Sequence, residues 1–101
     1  MKIYIKEPRK SPRSILVPNE LEILQQLVGG YIESVTLEPG WTVICNEEGR
    51  WRDLPDNCEV YGVNFVGTIL FVGVNEDEFC NVPFSLDEMK KALPALFEEE
   101  K

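Results

Sequence analysis

Histidine is absent from the 101 residues of this chain. With it go the commonest general base, the commonest metal ligand and the side chain that titrates nearest neutral pH. Ser-His, Cys-His and His-zinc chemistry are excluded at once. Cysteine is scarce: Cys45, Cys58 and Cys80 form no CxxC, keep no metal-ligand spacing and are odd in number, so a closed disulfide framework would leave one thiol over. They read as small buried apolar side chains of a reducing compartment, and no Lys or Arg adjoins any of them to favour a thiolate. A long apolar run is missing too, since the stretch Val66 to Val74 falls short of the ~20 residues a spanning helix needs. The opening Met1-Lys2-Ile3-Tyr4-Ile5-Lys6 alternates and turns basic, without the apolar stretch of a signal peptide. A soluble cytoplasmic protein with no membrane association is expected.

Basic charge is also short. Ten Lys+Arg stand against 18 Asp+Glu, a formal net charge of −8. That is the reverse of the basic footprint of a nucleic-acid-binding domain. The imbalance is uneven. Residues 1–13 hold five basic residues and Glu7, a net +4, which leaves five basic and seventeen acidic residues, a net −12, for the rest. No GxGxxG or GxxxxGK[ST] phosphate loop and no N-x-[ST] site occurs.

What is present is enough for one folded domain, because 44% of the residues are apolar and domains of ~100 residues are ordinary. Lys2–Lys6 alternates as a strand, and 14–17 is a second strand paired back through a Pro-bracketed loop. Asn19, with Glu22 three residues on, has the spacing of a capping box. Leu21, Ile23, Leu24, Leu27 and Val28 then share one helical arc up to Gly29, which suits a left-handed cap. Strands follow at 31–37 and 41–46, the second with Trp41, Val43 and Cys45 on one face. A hairpin turn at Glu47-Glu48-Gly49 leads to a return strand over 50–54, then to an extended or irregular stretch over 58–64. The apolar run 66–72 is expected as a central strand buried on both faces. After the charged turn 75–78, Ser85-Leu86-Asp87-Glu88 is a second capping box, with a kink or a break at Pro94 and a frayed tail from about 98. The order ββ-α-ββββ-α predicts an α+β fold, a mostly antiparallel sheet of five to six strands with two helices.

Four pieces carry a resemblance: residues 24–33 (Leu-Gln-Gln-Leu-Val-Gly-Gly-Tyr-Ile-Glu), Asn46-Glu47-Glu48-Gly49, Leu54-Pro55-Asp56-Asn57, and the run from Val66 to Gly73. In this order and spacing the chain resembles the domain-of-unknown-function 3846 family, over residues about 18–74. Where the family often has Pro after the Leu-Pro-x-Asn element, this chain has Cys58-Glu59, so that loop is expected to differ. The resemblance implies a phage or mobile-element setting and no catalytic role.

Two sets of candidate residues emerge. The first is a partner-binding surface of Glu47, Glu48, Asp53, Asp56 and Glu59 with Trp51 as aromatic anchor, an acidic body that docks on a basic cleft of a host or phage protein. The second is a site for a nucleotide-like anion, formed by Gly29, Gly30 and Tyr31 with Arg50, Arg52 and Asn57. Each has a plainer reading beside it. Gly29-Gly30 makes a tight helix-to-strand joint, Arg50 and Arg52 pair with Glu47 or Glu48, the tryptophans pack in a core, and Asn57 shapes a turn. The basic loop 9–13 reads as a solvated hairpin loop. No catalytic residue, metal ligand or cofactor is read from the sequence. Trp51, Tyr61 and Phe65, in segments with no clear buried face, allow a homodimer. An acidic, non-catalytic interaction protein is the expectation, acting as an anti-defence or regulatory accessory.

Overall fold

The computed structural model describes residues 1–98. In chain order these form β1 (Lys2–Lys6), β2 (Arg13–Leu16), α1 (Leu21–Val28), β3 (Ile32–Glu38), β4 (Trp41–Asn46), β5 (Asp56–Val60), β6 (Val63–Val66), β7 (Ile69–Asn75), β8 (Glu78–Cys80), α2 (Leu86–Ala92) and a 3-10 turn, Pro94–Phe97. The main sheet has six strands in the order β2-β1-β7-β4-β3, with β8 also on β7, and all its pairings are antiparallel. β5 and β6 form a separate two-stranded hairpin. The fold is α+β, with the expected order of helices and strands.

β7 is the centre of the sheet because its side chains are apolar on both faces. Ile69, Leu70, Phe71 and Val72 are all fully buried. Alternation sends Ile69 and Phe71 to one core cluster and Leu70 and Val72 to the other. Each such side chain contributes roughly 1.5–3 kcal/mol by burial. On one face α1 lays Leu24 and Val28 against Ile3, Ile5 and Ile44. On the other, the β5–β6 hairpin and α2 bring Val60, Phe65 and Met89 onto Tyr4, Val43 and Phe71.

The second capping box forms as expected: the Glu88 N–H donates to Ser85 Oγ at 3.1 Å and the Ser85 N–H to Glu88 Oε1 at 3.2 Å. Of the two outcomes open at Pro94, a kink or a break, the structure has the break. Leu93, restricted by the following proline, leaves the α region at φ −133°, ψ 63°, and Pro94 opens the 3-10 turn. The expectation of a frayed tail falls mostly on residues 99–101, outside the described residues. No helix among the described residues is long and apolar enough to cross a membrane.

Three expectations are corrected and one left open is resolved. The N-cap of α1 is Glu20, without a side-chain cap bond; Asn19 stands one residue before it and its side-chain amide donates to the Phe79 carbonyl at 2.8 Å. Residues 50–54 are no return strand; they coil through successive turns. The stretch 58–64, expected as extended or irregular, is extended: it is the body of the β5–β6 hairpin, turned by Tyr61-Gly62, both at positive φ (46° and 84°). The central strand starts at Ile69 rather than Val66, since Val66 ends β6 and Gly67 turns the chain at φ +71°. β8 was not expected.

Candidate functional site

The candidate surface begins where the chain leaves β4. Asn46, buried, ties three segments together there. Its Nδ2 donates to the Val28 carbonyl at 3.2 Å and its Oδ1 accepts from the Glu48 N–H at 2.8 Å. The Glu47 N–H donates to the Tyr31 carbonyl at 2.8 Å. Gly30 belongs to the same joint, because a Cβ there would lie 2.8 Å from Asn46 Nδ2. Gly29 is the left-handed helix cap at φ +81°. The two glycines thus serve the helix-to-strand joint.

Beyond Asn46 the backbone closes on itself. The Arg52 N–H donates to Glu48 O at 2.9 Å, Asp53 to Arg50 O at 3.3 Å and Leu54 to Gly49 O at 3.1 Å. Backbone bonded inward in this way sends side chains outward. Trp51 is 90% exposed, whereas Trp41 at the head of β4 is 5% exposed. The core reading therefore holds for Trp41 and fails for Trp51. Glu47, Glu48, Arg52 and Asp53 are exposed on the same coil.

The β5–β6 hairpin stands beside this coil, and Asn57 fixes it. The Asn57 amide donates to the carbonyls of Lys6 and Gly67 at 2.8 and 2.7 Å, and its Oδ1 accepts from Lys6 Nζ at 2.9 Å. Asn57 therefore does more than shape a turn: it clamps β5 to β1 and to the segment entering β7. Between coil and hairpin lies a cleft of about 590 Å³, with Asp53, Asp56, Asn57 and Glu59 on its walls and Phe65 among its lining. A smaller one of about 220 Å³ lies between Trp51, Glu47 and Glu33. Arg50 lines both.

The structure thus brings Glu47, Glu48, Trp51 and Asp53 together on one coil, and sets Asp56 and Glu59 of β5 beside them. It does not assemble the anion site. Without a return strand Arg50 and Arg52 do not alternate on one face. The Arg50 guanidinium donates to the Asn64 carbonyl at 2.9 Å, and Arg52 Nε lies 3.9 Å from Glu48 Oε2. Gly29, Gly30 and Tyr31 line neither cleft. The basic loop is partly neutralised locally: Glu7 lies 3.1 Å from Arg13 and 4.0 Å from Lys10.

The thiols near these clefts are inert. Burial pushes Cys45 up to about 11, with Glu33 adding to it and Arg50 opposing it. Burial likewise pushes Cys58 up to about 11 against the pull of Lys6. Both remain protonated at neutral pH, as core thiols do. Among the described residues no group of three or more acidic or cysteine side chains converges in a metal-binding set.

Phe65, Asn64 and Leu54 also shape the larger cleft and were not anticipated. The available signal was Tyr61-Gly62, two turn residues between Val60 and Val63, which marks a tight hairpin and so places Phe65 on its inward face.

A family model described as Domain of unknown function (DUF3846) matches residues 1–93, reaching beyond the 18–74 stretch on both sides. No curated protein and no solved structure matches the chain.

Proposed function

The chain belongs to the DUF3846 family, a domain of unknown function, and on the geometry above we propose that it is a non-catalytic binding module whose acidic coil and hairpin dock on a basic surface of another protein. The observation that carries this reading is Trp51, 90% exposed on a coil whose backbone is tied down by its own hydrogen bonds. A large aromatic held out to solvent on a fixed support is the usual anchor of a protein interface. Around it stand Glu47, Glu48 and Asp53, with Asp56 and Glu59 on the adjoining strand. Carboxylates in that ring suit a partner's Lys and Arg side chains and steer its approach. In a phage or mobile-element setting the partner is a host protein with a cleft built for nucleic-acid phosphates.

The test is capture from a host lysate on the immobilised protein, run beside Trp51→Ala and a Glu47→Gln/Glu48→Gln/Asp53→Asn variant. The reading requires a discrete set of proteins that is retained by the native chain and lost by both variants. Equal retention by all three, or no retained protein, contradicts it.

A further inference from the structure

A third cavity, of about 200 Å³, opens where the β3–β4 turn, the tip of the β5–β6 hairpin and α2 meet. It shares no lining residue with the two clefts beside Trp51. Its walls are aromatic: Trp41, Tyr61 and Phe84. The Tyr61 ring centroid lies 6.4 Å from that of Trp41 with the planes at 56°, and the Phe84 centroid lies 5.3 Å from it with the planes at 82°. The edge-to-face pair of Trp41 and Phe84 is in direct contact, so it forms the floor of the cavity, with Trp41 5% exposed, while Tyr61, 50% exposed, is its outer wall. Two carboxylates, Glu38 and Glu88, and the aliphatic side chains of Met89, Ala92 and Leu93 complete the lining.

Each wall is held in place. Trp41 Nε1 donates to Glu38 Oε2 at 3.2 Å. Glu88 is fixed by the capping box of α2. Tyr61 sits at φ +46°, a conformation that bulky side chains rarely adopt and that Asn or Gly fills at less cost in a two-residue hairpin. The strained position is what puts an aromatic ring, rather than a small turn residue, opposite Trp41. Burial and the hydrogen bond with Glu38 push the Tyr61 hydroxyl above its ordinary range, so it stays neutral beside the carboxylate.

Three electron-rich rings and two carboxylates select a cation, and the apolar walls select what surrounds its charge. A calcium or magnesium ion asks for six or more oxygen ligands. A primary ammonium is strongly hydrated and brings three donors that the ring walls cannot satisfy. An alkylated ammonium brings an apolar envelope and a diffuse positive charge, which aromatic walls recognise by cation–π attraction. We propose that this pocket binds an alkylated ammonium group, seated against Tyr61 on the floor formed by Trp41 and Phe84 and neutralised by Glu38 and Glu88. The site is independent of the Trp51 surface and of the function proposed for it.

The test is an NMR titration of the full chain with choline and, in parallel, with 3,3-dimethylbutan-1-ol, its neutral carbon isostere. Choline is expected to shift the Trp41 indole N–H and the Met89 methyl saturably, and the isostere to bind at least tenfold more weakly. Tyr61→Leu keeps the bulk and removes the π face. Glu38→Gln with Glu88→Gln keeps the acceptors for Trp41 and Ser85 and removes the charge. Each variant should retain the native spectrum elsewhere and lose tenfold or more in choline affinity. A trimethyllysine peptide binding tighter than choline assigns the group to a protein side chain, and the reverse assigns it to a small free amine. Equal binding of choline and the isostere, unmoved Trp41 and Met89 resonances, or undiminished affinity in the folded variants overturns the proposal.

Discussion

Asn57 and Lys6, 51 residues apart, hold each other by two hydrogen bonds running in opposite directions, Lys6 Nζ to Asn57 Oδ1 at 2.9 Å and Asn57 Nδ2 to the Lys6 carbonyl at 2.8 Å. Lys6 as a residue is only 3% exposed, so the oxygen partners of its ammonium cannot be replaced freely by water. Asn57→Ala removes one of them and leaves the Lys6 and Gly67 carbonyls without this donor. A loss of about 2–4 kcal/mol is expected, at ~1–3 kcal/mol for each buried group left unsatisfied. Urea unfolding measures it as a lower midpoint. Asn57→Asp keeps the acceptor and should recover part of the loss.

Gly30→Ala is expected to destabilise through Asn46. The added Cβ would stand 2.8 Å from Asn46 Nδ2, and the amide cannot withdraw without giving up its bonds to Val28 and Glu48. The cost should be about 1–3 kcal/mol. The N–H of Glu48 should exchange with solvent faster in the variant, and hydrogen exchange at that amide checks the mechanism.

The two tryptophans should separate optically. Trp51, at 90% exposure, is expected to emit as a solvated indole and to be quenched by acrylamide, while Trp41, at 5%, is shielded. Trp51→Phe should leave only the blue-shifted, weakly quenched component. Trp51→Ala should change stability by no more than about 0.5 kcal/mol, as surface substitutions usually do.

Alkaline pH should unfold the protein. Cys45 is held up at about 11 by burial, against an ordinary thiol value near 9. Above pH 9 the unfolded chain releases this proton and the native chain keeps it, so stability must fall as pH rises from 9 to 11. The stabilisation is fully present below pH 9. The fall attributable to Cys45 is about 2–3 kcal/mol at most. Urea midpoints between pH 8 and 11 check it, with Cys45→Ala expected to flatten the decline.

The sheet was legible where local pattern and tertiary role agree. The apolar run ending in β7 could only be a buried strand, and Ser85 with Glu88 could only open a helix. Reading failed where a distant contact outbid a local preference. Asn19 looks like a cap for α1, but Glu20 takes that position and the Asn19 side chain reaches to the Phe79 carbonyl, sixty residues away. Residues 50–54 alternate well enough for a strand, yet Gly49 and Asp53, the latter at φ +53°, let the backbone coil instead. That coil decides the candidate site, because it parts Arg50 from Arg52 and turns Trp51 outward. The acidic residues of the site were readable from charge alone. Their neighbours Asn64 and Phe65 depend on the Tyr61-Gly62 turn, where a tyrosine stands in place of the Asn that usually marks such a hairpin.

The most direct test of a docking surface built from Trp51 and its ring of carboxylates is the rate at which a captured partner associates, measured against ionic strength. Exposed charges are screened over ~10 Å at 0.1 M salt and ~3 Å at 1 M. The association rate should therefore fall steeply between these limits for the native chain, and the Glu47→Gln/Glu48→Gln/Asp53→Asn variant should show both a slower rate and a flatter dependence. An association rate that is the same at low and high salt, and the same in the variant, contradicts the proposed function.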